Sequence, residues 1–155
     1  MPRMNKRERI SDFVRAIEPR RSKRWSDNYY SAYFQLWNAQ KYYEAHDVLE
    51  QLWLGEQDAD LARFYQGLIQ AAGAFVHLQK NFQHPSHPKH SRRLPPAARL
   101  LELALRNLEG LPNEFRALNV VAFRELLKRY RDEIATADFG RNPWSPDTAP
   151  QLALL

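Results

Sequence analysis

The segment YYEAHDVLEQLW, residues 42–53, places an imidazole and a carboxylate four residues apart, at His46 and Glu50. In a helix that spacing sets the two on one face with Cβ atoms about 5–6 Å apart, close enough to share a proton, a ligand or a metal ion. At about 100° per residue, the same arc also carries Trp53, Tyr43, Leu49 and Leu54. The pair therefore falls in a stripe that reads as buried. Buried polar groups need partners, and buried charges need them more. A second stretch, LARFYQGLIQAAGAFVHLQKNF at 61–82, repeats the anomaly. There Gln66, Gln70 and His77 line one ridge of an otherwise apolar helix, with Arg63 at its edge, and Gly73 and Ala74 leave room for a neighbour or a cavity.

The simplest packing sets the two stripes face to face, so that His46, Glu50, Gln66, Gln70 and His77 satisfy one another. Three readings of such a cluster stand side by side. It is a hydrogen-bond network that holds helix register, a polar pocket for a small molecule or anion, or a metal site. For the last, His46, Glu50 and His77 supply the two-imidazole, one-carboxylate set of open Zn or non-haem Fe centres, a divalent ion that helix bundles hold with inward-facing residues. His-Glu-x-x-His, a Ser–His–Asp signature and a phosphate-binding glycine loop are all missing from the sequence. His84, His87 and His90 recur every third residue, but within a Pro-rich stretch that reads as a solvated loop, with metal binding the lesser alternative.

The elements that must position these groups read as helices throughout. Residues 8–18 carry Ile10, Phe13, Val14 and Ile17 at helical spacing and end at Pro19 and RRSKR. A second helix runs from an N-cap at Asp27 to about Ala39, with Tyr29, Tyr30, Tyr33, Phe34 and Trp37 (and Trp25 just before it) as core or interface residues. A tight connection at Gln40–Lys41 leads to the helix of His46 and Glu50, which stops at Gly55. The 61–82 helix is apolar on nearly every face, the mark of a central helix surrounded by others. After the loop at 83–96, PPAARLLELALRNLEG has Pro at its start and Gly at its end, and a last helix covers 119–135. The tail FGRNPWSPDTAPQLALL reads as extended and pinned by Trp144. Short connections and the absence of period-two segments predict an all-α antiparallel bundle of about five helices, residues 25–138, between a basic N-terminal extension (1–24) and an extended tail (139–155).

Of the 155 residues, 44% are hydrophobic, enough for a globular core. The net charge of +5 is concentrated. Residues 1–24 hold nine Arg or Lys against Glu8, Asp12 and Glu18, while the remainder has 14 basic and 15 acidic residues. A solvated extension is the plainer reading of that segment; contact with nucleic acid or an acidic membrane surface is its functional alternative. With no cysteine, thiolate metal sites, disulfides and a cysteine nucleophile are excluded. No apolar run approaches the ~20 residues that span a bilayer, and the expectation is a cytoplasmic protein.

YYEAHDVLEQLWL, RFYQGLIQAAGAFVHLQKN and ARLLELALRNLE together resemble the bacterial and archaeal family called domain of unknown function 309, over roughly residues 30–135. The blocks that carry the resemblance are Glu-Ala-His-x-x-x-Glu-x-x-Trp, here Glu44, His46, Glu50 and Trp53, and Gln-Gly-Leu-Ile-Gln, here Gln66–Gln70. The resemblance implies a small helical bundle and brings in Glu44, whose helical phase points away from His46. It implies no chemistry. The leading expectation is a protein that binds a small molecule or protein partner through His46, Glu50, Trp53, Gln66, Gln70, His77, Glu44 and Arg63. The alternatives are a metal-dependent, hydrolase-like enzyme using His46, Glu50 and His77, and a nucleic-acid-associated protein acting through residues 1–24.

Overall fold

The computed structural model describes residues 5–17 and 25–155; the RRSKR run lies outside them. Six helices follow one another: α1 (Lys6–Ile17), α2 (Trp25–Asn38), α3 (Tyr42–Gly55), α4 (Ala59–Gln83), α5 (Leu94–Leu108) and α6 (Val120–Thr136). A 3₁₀ turn, His90–Arg92, precedes α5, and strands β1 (Glu114–Phe115) and β2 (Leu118–Asn119) precede α6. The protein is an all-α bundle in which sequential helices pack on one another. α3 and α5 take the two sides of α4, α2 covers α3, and α6 covers α5. α1 lies on α2 and α3 and buries Ile10 and Val14.

Local chemistry accounts for the helix ends. α2 closes in a Schellman motif: Gln40 adopts φ 60, its N–H reaches the Trp37 carbonyl at 2.9 Å, and the Lys41 N–H reaches Leu36 at 2.8 Å. The Asp58 carboxylate caps α4 by accepting from the Leu61 N–H at 2.9 Å. Pro95 and Pro96 occupy the opening turn of α5, where their missing N–H groups cost no helical hydrogen bond. The Asn119 side chain caps α6 through the Ala122 N–H at 3.0 Å.

The core is aromatic. Trp37 of α2 packs at 4.6 Å from Phe75 of α4, 5.2 Å from Tyr42 of α3 and 6.0 Å from Phe123 of α6, ring centre to ring centre. Tyr33 is fully buried, and its hydroxyl donates to the Leu68 carbonyl at 2.7 Å. That partner removes the cost of an orphaned hydroxyl. The tail is extended and held as expected. Trp144 is buried, donates to the Tyr42 hydroxyl at 3.1 Å and stacks edge-on against Phe82. Farther on, Trp37 donates to the Pro150 carbonyl, and Asn38 both donates to and accepts from the Leu152 backbone.

One expectation fails here, and one feature was not read from the sequence. Asp27 does not cap α2, which begins at Trp25; its carboxylate instead pairs with Arg116 at 2.8 Å. The residues before α6 form a hairpin, with Glu114 opposite Asn119 and Phe115 opposite Leu118. Its turn residues, Arg116 and Ala117, both have positive φ (46 and 60), the geometry of a type I′ turn. No Asn-Gly or Asp-Gly announces it. Contacts of the Arg116 side chain hold it instead: the Asp27 ion pair, a hydrogen bond to the Tyr65 hydroxyl, and the guanidinium 4.5 Å from the Tyr30 ring centre.

Candidate functional site

The two polar stripes do not meet. The buried face of α3 is Tyr42, Ala45, Val48, Leu49 and Leu52, which lies about a quarter-turn away from the arc centred on His46. Tyr43 and Leu54, expected within the stripe, are 61% and 65% exposed. His46 and Glu50 stand at the margin, with side chains 29% and 28% exposed, and Trp53 packs half-buried against the core. Glu44 is half-buried elsewhere on α3.

The partners of His46 and Glu50 come from α1 and from α3 itself. The Lys6 ammonium donates to Glu50 Oε1 at 2.8 Å and lies 3.3 Å from Asp47 Oδ1. His46 Nδ1 is 3.1 Å from the same Asp47 oxygen, and its Nε2 is 3.9 Å from Glu50 Oε2. A carboxylate only accepts, so Nδ1 carries the proton in that bond and Nε2 is left to face Glu50. Burial alone would push the Asp47 carboxyl up, but the His46 hydrogen bond and the Lys6 charge hold it below the ordinary carboxylate value. The hydrogen bond to Glu50 raises Lys6 above the usual lysine value; partial burial opposes this, and the Asp47 and Glu50 charges reinforce it. One cation and two carboxylates thus share a notch roofed by an imidazole. Next to it α1, α2 and α3 enclose a groove of about 600 Å³ lined by Arg7, Ser11, Tyr29, Gln51, Leu54 and Gly55.

The ridge on α4 faces α5. Gln70 Oε1 accepts from Asn107 Nδ2 at 2.7 Å. Gly67 and Gly73 lie against Leu108 and Leu100, so the room expected at Gly73 is filled by a leucine of α5. His77 Nδ1 accepts from Arg93 Nη1 at 2.9 Å, while Arg93 Nε donates to His90 Nδ1 at 2.7 Å. A guanidinium only donates, so this clamp requires both imidazoles to be neutral at Nδ1. Burial, then the Arg93 charge, pushes His77 below its ordinary value. Gln66 is half-buried on the same ridge, and Arg63 reaches Asp60 at 3.7 Å on its own helix.

The proposed trio of His46, Glu50 and His77 is therefore divided between two interfaces. Among the described residues no three His, Asp or Glu side chains are placed to hold a metal ion. The rings of His84, His87 and His90 do cluster, with centres 4.5–6.4 Å apart. However, His87 Nδ1 accepts the Lys89 and His90 backbone N–H groups and His90 Nδ1 accepts from Arg93. Those bonds leave the protons of both rings on Nε2, the nitrogen a metal would need bare.

Lys6, Asp47, Arg93, Asn107 and Arg116 carry these contacts and were not singled out from sequence. Asp47 alone had a local signal, as the neighbour of His46. Lys6 lies 44 residues from Glu50 and Arg116 lies 89 from Asp27, separations that periodicity cannot join. No helix among the described residues is long and apolar enough to cross a membrane.

A protein of Aquifex aeolicus (strain VF5), described as an uncharacterized protein, is 26% identical over 107 residues. The alignment covers 69% of this chain but only 28% of that relative. No solved structure matches. The eight residues proposed from sequence all fall between 30 and 86, whereas the block at 98–109 lies beyond. Residues 30–86, running from α2 through α4, match the model of the family described as Domain of unknown function (DUF309), the family whose blocks the sequence resembles.

Proposed function

We propose that this protein is a binding module whose ligand presents a cationic amine to the notch of His46, Asp47 and Glu50. The observation that carries this reading is Lys6. Its ammonium lies 2.8 Å from Glu50 and 3.3 Å from Asp47, and it comes from a helix outside the 30–86 match that supplies the notch. Lys6 is thus an internal stand-in for an ammonium ligand, a compact charge with three donors that two carboxylates can share. α1 rests on α2 and α3 through Ile10 and Val14, and an external amine competes with this tethered one for the notch. A tether of this kind supplies an effective concentration on the order of millimolar, which sets the affinity a ligand must exceed. The adjoining groove of about 600 Å³ is of a size to take the body of a small molecule. The lack of cysteine suits a cytoplasmic setting.

The test is a titration of ¹⁵N-labelled wild type and Lys6→Ala with spermidine, followed by amide shifts. Saturable shifts are expected at residues 46–55 and at the facing residues of α1 and α2 that line the groove, with affinity roughly tenfold or more higher in Lys6→Ala, and lost in Asp47→Asn/Glu50→Gln. Absence of saturable binding in Lys6→Ala, or shifts centred on α5 and α6, would overturn the reading.

A further inference from the structure

A second groove, of about 300 Å³, runs between α5 and α6. Its charged lining is Glu102, Arg106 and Glu109 from α5 and Arg124, Lys128 and Arg131 from α6. The last three are spaced i, i+4 and i+7, so one face of α6 presents all of them. Lys128 and Arg131 have acidic partners on their own helix, Glu125 at 3.8 Å and Asp132 at 3.1 Å. Arg106 and Arg124 have no ion-pair partner among the described residues, although Glu102 and Glu109 line the same groove. The Nε of Arg124 is buried with no hydrogen-bond acceptor. A buried guanidinium N–H without an acceptor is costly, and native structures rarely leave one.

We infer that this groove binds a phosphate group, seated between Arg124 and Arg106 with its oxygens accepting from the two guanidinium groups that line it. A planar carboxylate is satisfied by a single guanidinium fork. Cations converging from two helices match an oxyanion with several oxygens in a tetrahedral array. The two rim carboxylates repel a long run of phosphates, which favours a single phosphate monoester over a polynucleotide backbone.

The Arg124 Nε–H resonance of the ¹⁵N-labelled full chain reports on the site directly. Inorganic phosphate and glycerol phosphate should each shift it saturably. Affinity should fall roughly tenfold or more in Arg124→Lys, which keeps the charge but removes the guanidinium fork, and in Arg106→Gln. Arg106 is exposed, so the second variant keeps the test decisive should the first not fold. A single-stranded oligonucleotide separates the two sources of phosphate. Binding no tighter than that of glycerol phosphate supports the monoester, whereas saturation by the oligonucleotide alone overturns it. A shift that does not saturate, or that both substitutions leave unchanged, also overturns the inference.

Discussion

Replacing Gly67 by alanine tests the orientation of α4. A methyl at this position would meet Leu108 Cγ and Cδ2 at 3.0 Å and the Ala104 carbonyl oxygen at 3.3 Å. Neither neighbour yields easily, since Cγ is the branch point of the leucine and the carbonyl belongs to the backbone of α5. Gly→Ala within a helix gains about 1 kcal/mol of intrinsic propensity. Forcing a methyl into a filled interface costs about 1–3 kcal/mol. The net is a loss of up to about 2 kcal/mol, or a melting temperature lower by a few degrees for a chain of this size. Gly73, farther along α4, is the internal control. Its added methyl would meet only Leu100 Cδ1, at 3.3 Å, the free end of a flexible side chain. Gly73→Ala should therefore be neutral or stabilise by up to about 1 kcal/mol. Urea denaturation of both variants, with Leu108→Ala and the Gly67→Ala/Leu108→Ala double variant, gives the coupling. Leu108→Ala opens the space that Gly67→Ala fills, so the double variant should be more stable than additivity predicts by over about 0.5 kcal/mol. If Gly67→Ala stabilises as much as Gly73→Ala, or the two sites are simply additive, α4 does not pack on α5 as described.

Glu50→Gln should cost less than about 1 kcal/mol in denaturant melts, because the Lys6–Glu50 pair is partly exposed (41% and 28%) and surface-like; a loss well above that would restore Glu50 to a buried network. In the type I′ turn, Ala117→Gly should stabilise by roughly 0.5–1 kcal/mol by relieving positive φ. Arg116→Gly should destabilise despite the same relief, since it removes the Asp27 pair; equal effects would show that the side chain is not the anchor. The Arg93 clamp predicts acid sensitivity. The unfolded chain takes up a proton on His77 near pH 6.5, while the folded chain resists it to lower pH. The unfolded state then binds more protons, so the stability due to neutral His77 is complete above about pH 6.5 and is lost as pH falls toward the folded-state value. In Arg93→Gln, the His77 midpoint followed by proton NMR should rise but stay below 6.5, because burial, the larger cause, remains; an unmoved midpoint would exclude the Arg93 charge as a cause.

The helices were legible in the sequence because each is specified locally. The apolar spacing at 61–82 and 119–135 placed α4 and α6 within two residues of their ends, and the nearly all-round apolarity of α4 announced its central position. Trp144 as the pin of the tail was legible for a similar reason: a large aromatic residue in a Pro-rich segment must bury its ring somewhere. The polar ridge on α4 was also real, as was the need of its members for partners. Only the tertiary structure decided who those partners are. A central helix has several neighbours, and periodicity gives the angle between residues on one helix but not the rotation of that helix against each neighbour. On α3 the aromatic residues Tyr43 and Trp53 drew the inferred stripe toward His46, whereas Tyr42, Ala45 and Val48, packing under α2 and α4, set the true buried face. That rotation sent His46 and Glu50 to Lys6 and left Gln70 and His77 to Asn107 and Arg93. The type I′ turn was hidden for the same reason. Its positive φ at Arg116 and Ala117 is sustained by Asp27, Tyr30 and Tyr65, residues that only the folded chain brings within reach.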